Sequence, residues 1–394
     1  MKLLLYSHFF APSVGGVETI VLSLARGLAA LRDSNGAPQF EITLVTQTPA
    51  ANYGDTAQPF RVIRKPNFTQ LWRLVRRSDV VHVAGPALAP LFLAWLSRKP
   101  FVIEHHGYPA TCPNGLLFQH PSENVCPGHF LAGHYRECLK CNAQAEGPSK
   151  SFWLLLSAFL RHALSRRAAA NIAPSGHVAS RQSLPRTTTI LHGIEDPCAE
   201  IDTLQATQPL HRRNFAFLGR LVTEKGLSVL LEATCLLRAE GRNFEVVLIG
   251  DGPDRPRLEK EIAALGLASS VRITGFLSGA NLDQALRDVG AIVIPTTMEE
   301  TAGLAAMEQM VRGRPVIASA VGGLGELVRD AGLLFSPGDA QALADAMKRI
   351  LDEPGLAASL GATGRQRILL SFSYRVMIDA HARLYREVSA ATNS

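Results

Sequence analysis

No run of apolar residues in the 394-residue chain approaches the ~20 needed to cross a bilayer. The longest candidate, Phe152 to Leu164, is broken by Arg161 and His162. The start, Met1-Lys2-Leu3-Leu4-Leu5-Tyr6-Ser7, has no small-residue cleavage site after it and reads as a buried strand rather than a secretory leader. A cytoplasmic protein, with peripheral attachment to the inner membrane face as the further option, is expected. Cysteine is scarce, six in all, which excludes a disulfide scaffold and fits a reducing compartment. There is no heptad, low-complexity tract or short repeat period, so coiled coils and solenoids are excluded. No G-x-G-x-x-G marks a dinucleotide site, no D-x-D triplet a metal-dependent donor site, and no motif a pyridoxal-phosphate lysine. The surplus of Lys and Arg is small, a net charge of +6, and shows no nucleic-acid recognition motif.

What is present is alternation. Hydrophobic residues make up 47% and charged residues 19%, enough for real cores. Lys2–Tyr6, Glu41–Thr46, Val80–Val83 and Phe101–Glu104 read as short buried strands, with a helix over Val17–Leu31 after the first. Strands are again expected at Phe215–Leu218, Glu245–Ile249, Val271–Thr274, Ala291–Pro295 and Pro315–Ser319, with helices between them. Such alternation implies parallel sheets with crossover helices. The pattern pauses over the polar stretch 196–213. The expected organisation is therefore an α/β Rossmann-like domain over 1–195, with a Cys-containing insertion at about 107–148. A linker follows at 196–213, then a second Rossmann-like domain over 214–370. Residues 371–394 carry a final helix that ends near Val388 and packs back on the first domain, with Ala390 to Ser394 fraying.

Four segments carry chemistry. Gly15-Gly16 lies between the first strand and first helix, where glycines let a ligand approach backbone N–H groups. Gly219-Arg220 with Lys225-Gly226 occupies the same position in the second half, and a guanidinium near an ammonium there suits a diphosphate. Open α/β sheets bind ligands at these strand ends. Gly250-Asp251-Gly252-Pro253 reads as a tight turn, because Arg255 stands where a nucleotide fingerprint needs its third glycine. Finally, Glu300 and Glu308 flank Gly303-Leu304 at a strand-to-helix junction, carboxylates placed to grip hydroxyls beside backbone donors.

Together these segments resemble the retaining glycosyltransferases of family 4, whose fold is GT-B: two Rossmann-like domains facing a central cleft. The resemblance extends to Thr274-Gly275-Phe276, Gly313-Arg314-Pro315, Gly322-Gly323 with Glu326, and Gly332-Leu333-Leu334. It implies a glycosyl transfer from a nucleoside-diphosphate sugar, UDP- or GDP-linked, to a glycan, lipid-linked or small-molecule acceptor. Polysaccharide or glycolipid synthesis is the implied setting. It also implies that Arg220 and Lys225 hold the diphosphate, Glu308 the ribose and Glu300 the donor sugar. Gly303 and Leu304 supply backbone contacts, and Gly15, Gly16, Gly219, Gly250 and Phe276 line the donor site. His106 is placed to contact the sugar, ahead of His105. No catalytic cofactor is implied. Departures from the family pattern are Ala302 for an aromatic, Gln309 for Ala, and His192-Gly193-Ile194-Glu195 for Asn-Gly-Ile-Asp. A sugar-nucleotide epimerase and a non-catalytic sugar-nucleotide binder are the rival readings.

Cys112, Cys126, Cys138 and Cys141 fall in the insertion, the last two as a C-x-x-C knuckle. They read either as ligands of a structural zinc, with His120, His129 and His134 as alternatives, or as reduced thiols. Cys198 and Cys235 read as unpaired. Ser151–Arg167, aromatic and basic, is expected mainly to pack in the core, with a membrane face as the second reading.

Overall fold

The computed structural model describes residues 1–51, 53–119, 122–197 and 213–393. The chain divides into two units. The first comprises Met1–Pro121, Cys126–Glu195 and Phe372–Ser394; the second comprises Ser122–Val125 and Asp196–Ser371. Most of the 196–213 stretch, with Cys198, lies outside the described residues, as does His120.

The first unit is built on a seven-stranded sheet. From one edge its strands run Arg61–Arg64, Glu41–Thr46, Lys2–Ser7, Val80–Ala84, Phe101–Glu104, Ala170–Ala173 and Thr187–Thr189. Every pairing is parallel. The inner strands, such as Lys2–Ser7, Val80–Ala84 and Phe101–Glu104, are near-continuous buried runs because both faces are covered. Leu4, Tyr6, Val81, Val83, Phe101 and Ile103 form the core with Leu91 and Leu93. The final helix, Tyr374–Asn393, belongs to this unit. It meets the first helix, Gly16–Ala30, at Gly27, where a Cβ would come within 2.5 Å of the Ile378 side chain. Tyr374 Oη donates to the Ser23 carbonyl at 2.9 Å. This helix runs to Asn393, past the expected end near Val388, since Ser389-Ala390-Ala391 contains nothing that breaks a helix.

The second unit carries six parallel strands in the order Val271–Gly275, Val246–Ile249, Asn214–Leu218, Val289–Ile294, Val316–Ser319 and Leu333–Phe335. Its core gathers Phe215, Phe217, Leu230, Leu248, Val293 and Met347, all fully buried. Both sheets follow the doubly wound order, in which the first strand lies at the centre and the fourth follows on its other side. The order in which strands are added therefore reverses between Lys2–Ser7 and Val80–Ala84, and between Asn214–Leu218 and Val289–Ile294. Loops leaving the carboxyl ends of such strand pairs diverge and leave a crevice.

One expectation is corrected. The helix Pro148–Ser165 buries only Ser151, Leu155, Ala158 and Ser165. Phe152 and Trp153 stand 56% and 64% exposed, so the aromatic part of Ser151–Arg167 faces solvent rather than core. The spacing explains it: one narrow stripe, Ser151, Leu155, Ala158 and Ser165, packs inward, and Phe152 and Trp153 fall off that stripe.

Candidate donor site and a buried carboxylate

In the second unit the loops after Asn214–Leu218 and Val289–Ile294 are locked together through backbone. Gly226 takes a left-handed conformation, and a Cβ there would lie 2.0 Å from the Pro295 carbonyl oxygen. The Glu224 carbonyl accepts from Thr297 N and from Thr296 Oγ1, each at 3.0 Å. This contact carries Lys225 onto Glu300, whose Oε1 accepts from Nζ in a half-buried ion pair. Glu300 is held in turn by its main chain: Gly323 N donates to its carbonyl at 2.7 Å, and a side chain at Gly322 would collide with that oxygen. Arg220 is exposed on the first of these loops.

The neighbouring turn depends on glycine as well. A Cβ on Gly250, whose φ is +145°, would fall 1.8 Å from the Gly219 carbonyl oxygen, and one on Gly252 2.2 Å from that of Leu221. Gly219 and Gly250 thus let two strand-end loops touch backbone to backbone. Gly303 caps the short helix Leu304–Met310 in a left-handed conformation. Glu308 on that helix is exposed, and the protein crowded around it raises its carboxyl above the ordinary value against the pull of Arg312. Phe276 is 66% exposed. Of the departures, Ala302 is buried, and Gln309 is buried and accepts from Arg314 Nη1 at 2.8 Å, which gives it a structural task.

In the first unit, Gly15 and Gly16 open the first helix. Gly15 is extended rather than left-handed, and its missing side chain leaves room for Glu18, which accepts from Ser13 Oγ at 2.9 Å. His106 follows the strand Phe101–Glu104 with its side chain 7% exposed and Nε2 3.5 Å from Glu104 Oε2. Glu104 is the centre of a cluster that sequence reasoning missed. It is fully buried. His82 Nε2 lies 3.2 Å from its Oε2, and His192 Nε2 and His381 Nε2 lie 3.3 and 3.8 Å from its Oε1. The Tyr385 hydroxyl meets His82 Nδ1 at 2.9 Å. His105 turns away and pairs with Asn171 Oδ1 at 2.9 Å, which makes it structural.

Burial alone would raise Glu104, but the imidazoles, His106 foremost, hold it well below the ordinary carboxylate range. The same burial pushes His381 and His105 down to about 4 and lowers His192. Glu104 therefore keeps its charge in a dry site where burial works against protonation of His381 and His192. The donor atoms of Glu104, His106 and His192 lie within 4.8 Å of one another, near enough to share a cation. The signal for the cluster was a polar residue inside an apolar strand, His82 in Val-Val-His-Val and Glu104 at the end of Phe-Val-Ile-Glu, because buried polar groups require partners.

The four insertion cysteines converge. Cys112, Cys126, Cys138 and Cys141 line one small cavity with Asn114, and the knuckle pair sits on the helix Tyr135–Glu146. His129 also lines it. Cys112 Sγ donates to Asn114 Oδ1 at 3.0 Å. Burial pushes Cys138 up to about 12, with the other three thiols adding to it, and Cys112 up to about 11. None of the described cysteines forms a disulfide, Cys235 included.

Residues 204–367 match the family described as glycosyl transferases group 1, and residues 14–184 match glycosyltransferase family 4. The chain belongs to glycosyltransferase family 4. It is 34% identical over 174 residues to alpha-D-kanosaminyltransferase of Streptomyces kanamyceticus, 44% of this chain and 45% of that one. It is 35% identical over 152 residues to the 2-deoxystreptamine glucosyltransferase of the same organism, 38% and 39% of the two chains. The chain thus spans about half the length, or less, of the curated relatives it matches. In fold it is similar to Anabaena HepE in complex with UDP, with a TM-score of 0.71 at 17% identity, covering 98% of this chain and 100% of that one. It is also similar to sucrose-phosphate synthase from Thermosynechococcus elongatus, TM-score 0.69 at 22% identity, covering 99% of both. The fold is GT-B, two α/β units with parallel sheets. No helix among the described residues is long and apolar enough to cross a membrane.

Proposed function

We propose that this protein moves a sugar from a nucleoside-diphosphate sugar, UDP- or GDP-linked, to an acceptor hydroxyl with retention of configuration. The observation that carries the reading is the Lys225–Glu300 pair at the reversal point of the second sheet, beside exposed Arg220. In the pair, each charge neutralises the other. A diphosphate carries more charge than one carboxylate, so it competes for Nζ and frees Glu300 for the sugar hydroxyls. Arg220 adds a planar fork for the phosphate oxygens. Glu308 takes the ribose hydroxyls, Gly303 and Leu304 offer main-chain contacts, and Phe276 gives an exposed ring near the nucleotide. Lys225 and Arg220 then stabilise the charge that develops on the leaving diphosphate, which is where catalysis gains most. His106 is assigned to the sugar, with Glu104 as the group that orients it.

Support also comes from the fold relative solved with UDP and, in another structure, with UDP-glucose. The aminocyclitol named for one relative, 2-deoxystreptamine, is a first acceptor to try, beside lipid-linked sugars. The test is product formation from UDP-glucose, UDP-N-acetylglucosamine and GDP-mannose, with the anomeric coupling of the product read by NMR. Retained configuration supports the reading. An isomerised donor formed without acceptor would replace it with an epimerase, and donor binding without turnover in any mixture would replace it with a non-catalytic sugar-nucleotide binder.

We further propose that Cys112, Cys126, Cys138 and Cys141 hold one structural zinc. Four thiols from three segments around one cavity match its preferred ligand set. Zinc deprotonates its thiol ligands, which overrides the upward push that burial gives them. Such an ion would staple an insertion of short helices and turns with little core of its own. Protein purified without added metal should contain about one zinc per chain, and Cys138→Ser should lose it. A metal-free wild type that melts at the same temperature with and without added zinc would overturn the assignment.

A further inference from the structure

The chain has three tryptophans, Trp72, Trp95 and Trp153. All three are exposed, by 39%, 46% and 64%. They lie on three helices of the first unit, Phe68–Arg77, Leu88–Leu96 and Pro148–Ser165. The middle helix packs against both of the others. Large apolar side chains stand out beside the indoles, among them Phe68 at 60%, Phe152 at 56% and Leu160 at 50%. Large apolar side chains exposed together on neighbouring helices mark an interaction surface.

The charge on these helices decides what the surface meets. Residues 68–77, 88–99 and 148–167 contain nine lysines and arginines and no aspartate or glutamate. The whole chain carries +6, so everything outside these three segments is net negative by three. The positive excess of the protein is thus gathered on the segments that carry its tryptophans. The two kinds of residue are interleaved: the Arg76 guanidinium lies 5.7 Å from the Trp72 ring centre, and that of Arg167 6.0 Å from Trp95. Indole rings favour the headgroup level of a bilayer, and Lys and Arg favour anionic headgroups. A helix with its aromatic residues outward and its small residues inward lies flat on such a surface. None of these helices is long and apolar enough to insert across one.

We propose that this face of the first unit is a peripheral docking surface for an anionic lipid bilayer. The proposal stands on the helices alone and does not depend on the donor chemistry, which UDP binding tests separately. Because every tryptophan lies on the face, the intrinsic indole fluorescence of the intact chain reports its contacts. The experiment titrates the full chain with phosphatidylcholine vesicles and with vesicles containing 30% phosphatidylglycerol, followed by co-sedimentation and by quenching with brominated lipid. The expected result is at least tenfold tighter partition to the anionic vesicles, with a blue shift, quenching, and loss of binding in 0.5 M salt. Trp95→Ala with Trp153→Ala should abolish binding, and Arg166→Glu with Arg167→Glu should abolish the preference for anionic lipid. Both variants are surface changes, and unchanged thermal melting shows that each still folds. Absence of partition to anionic vesicles would overturn the proposal. So would binding that survives both variants, or a self-associated species in solution whose tryptophans are already shielded from a water-soluble quencher.

Discussion

The two sheets share a strand order and differ in what they place at the strand ends. In the second unit, the reversal point carries an ion pair on glycine-hinged loops, Lys225 with Glu300, open enough for a ligand to compete for it. In the first unit, the carboxyl ends of Val80–Ala84 and Phe101–Glu104 carry a dry carboxylate with four imidazoles around it, drawn from residues 82 to 381. The same topology brings polar groups to the same end of each sheet. Solvent access then decides whether they bind a ligand or each other.

If that contrast is right, removing the dry carboxylate should cost the most. Glu104→Leu is expected to destabilise the first unit by about 3–5 kcal/mol, the range for breaking a buried ionic cluster. Chemical unfolding measures it, and a loss below about 1 kcal/mol would mean the cluster is held by packing alone.

The second expectation concerns acid. His381 and His105 are depressed to about 4. Their unfolded counterparts take up protons near pH 6.5, so their stabilisation is present above that pH and lost as pH falls toward 4. Glu104, also depressed, loses its contribution in the same direction at still lower pH. Stability should therefore fall from pH 7 to 4.5, by about 1.4 kcal/mol per pH unit for each proton taken up. His381→Phe should flatten that slope in a series of melts, and an unchanged slope would remove His381 from the account. Glu308 in the second unit has the opposite sign: its raised carboxyl contributes stability below the ordinary carboxylate pKa and loses it as pH rises through the folded value. Being exposed, it should change the slope little.

Third, Gly250→Ala should cost about 1–3 kcal/mol through strain. Its added methyl meets the Gly219 carbonyl, and donor affinity should fall with it. A variant as stable as wild type would show that the two loops need not touch. Smallest in stability should be Lys225→Ala, about 1 kcal/mol, since both partners keep some contact with water, at 20% and 18% exposure. Its effect belongs to binding.

Much of the second unit was legible in the sequence. Its strands are short apolar runs, and the residues proposed for its chemistry lie in local motifs, Gly219-Arg220 to Lys225-Gly226 and Glu300 to Glu308, that read directly off the sequence. That Lys225 lands on Glu300 was not legible, because it depends on Gly226 and Pro295 meeting 69 residues apart in sequence. The first unit was less open to such reading. Its strands Ala170–Ala173 and Thr187–Thr189 lack a distinctive pattern, and its Glu104 cluster gathers residues that no local motif links. The aromatic face on Pro148–Ser165 misled because composition does not reveal which stripe of a helix packs inward.

The central claim is that the Lys225–Glu300 pair marks a nucleotide-sugar site. Calorimetric titration of wild type, Lys225→Ala, Arg220→Ala and Glu308→Ala with UDP, GDP and their sugars tests it most directly. The account predicts binding of one nucleoside diphosphate by wild type and at least a tenfold loss in each variant, with melting temperatures unchanged. Wild-type affinity in all three variants would contradict it.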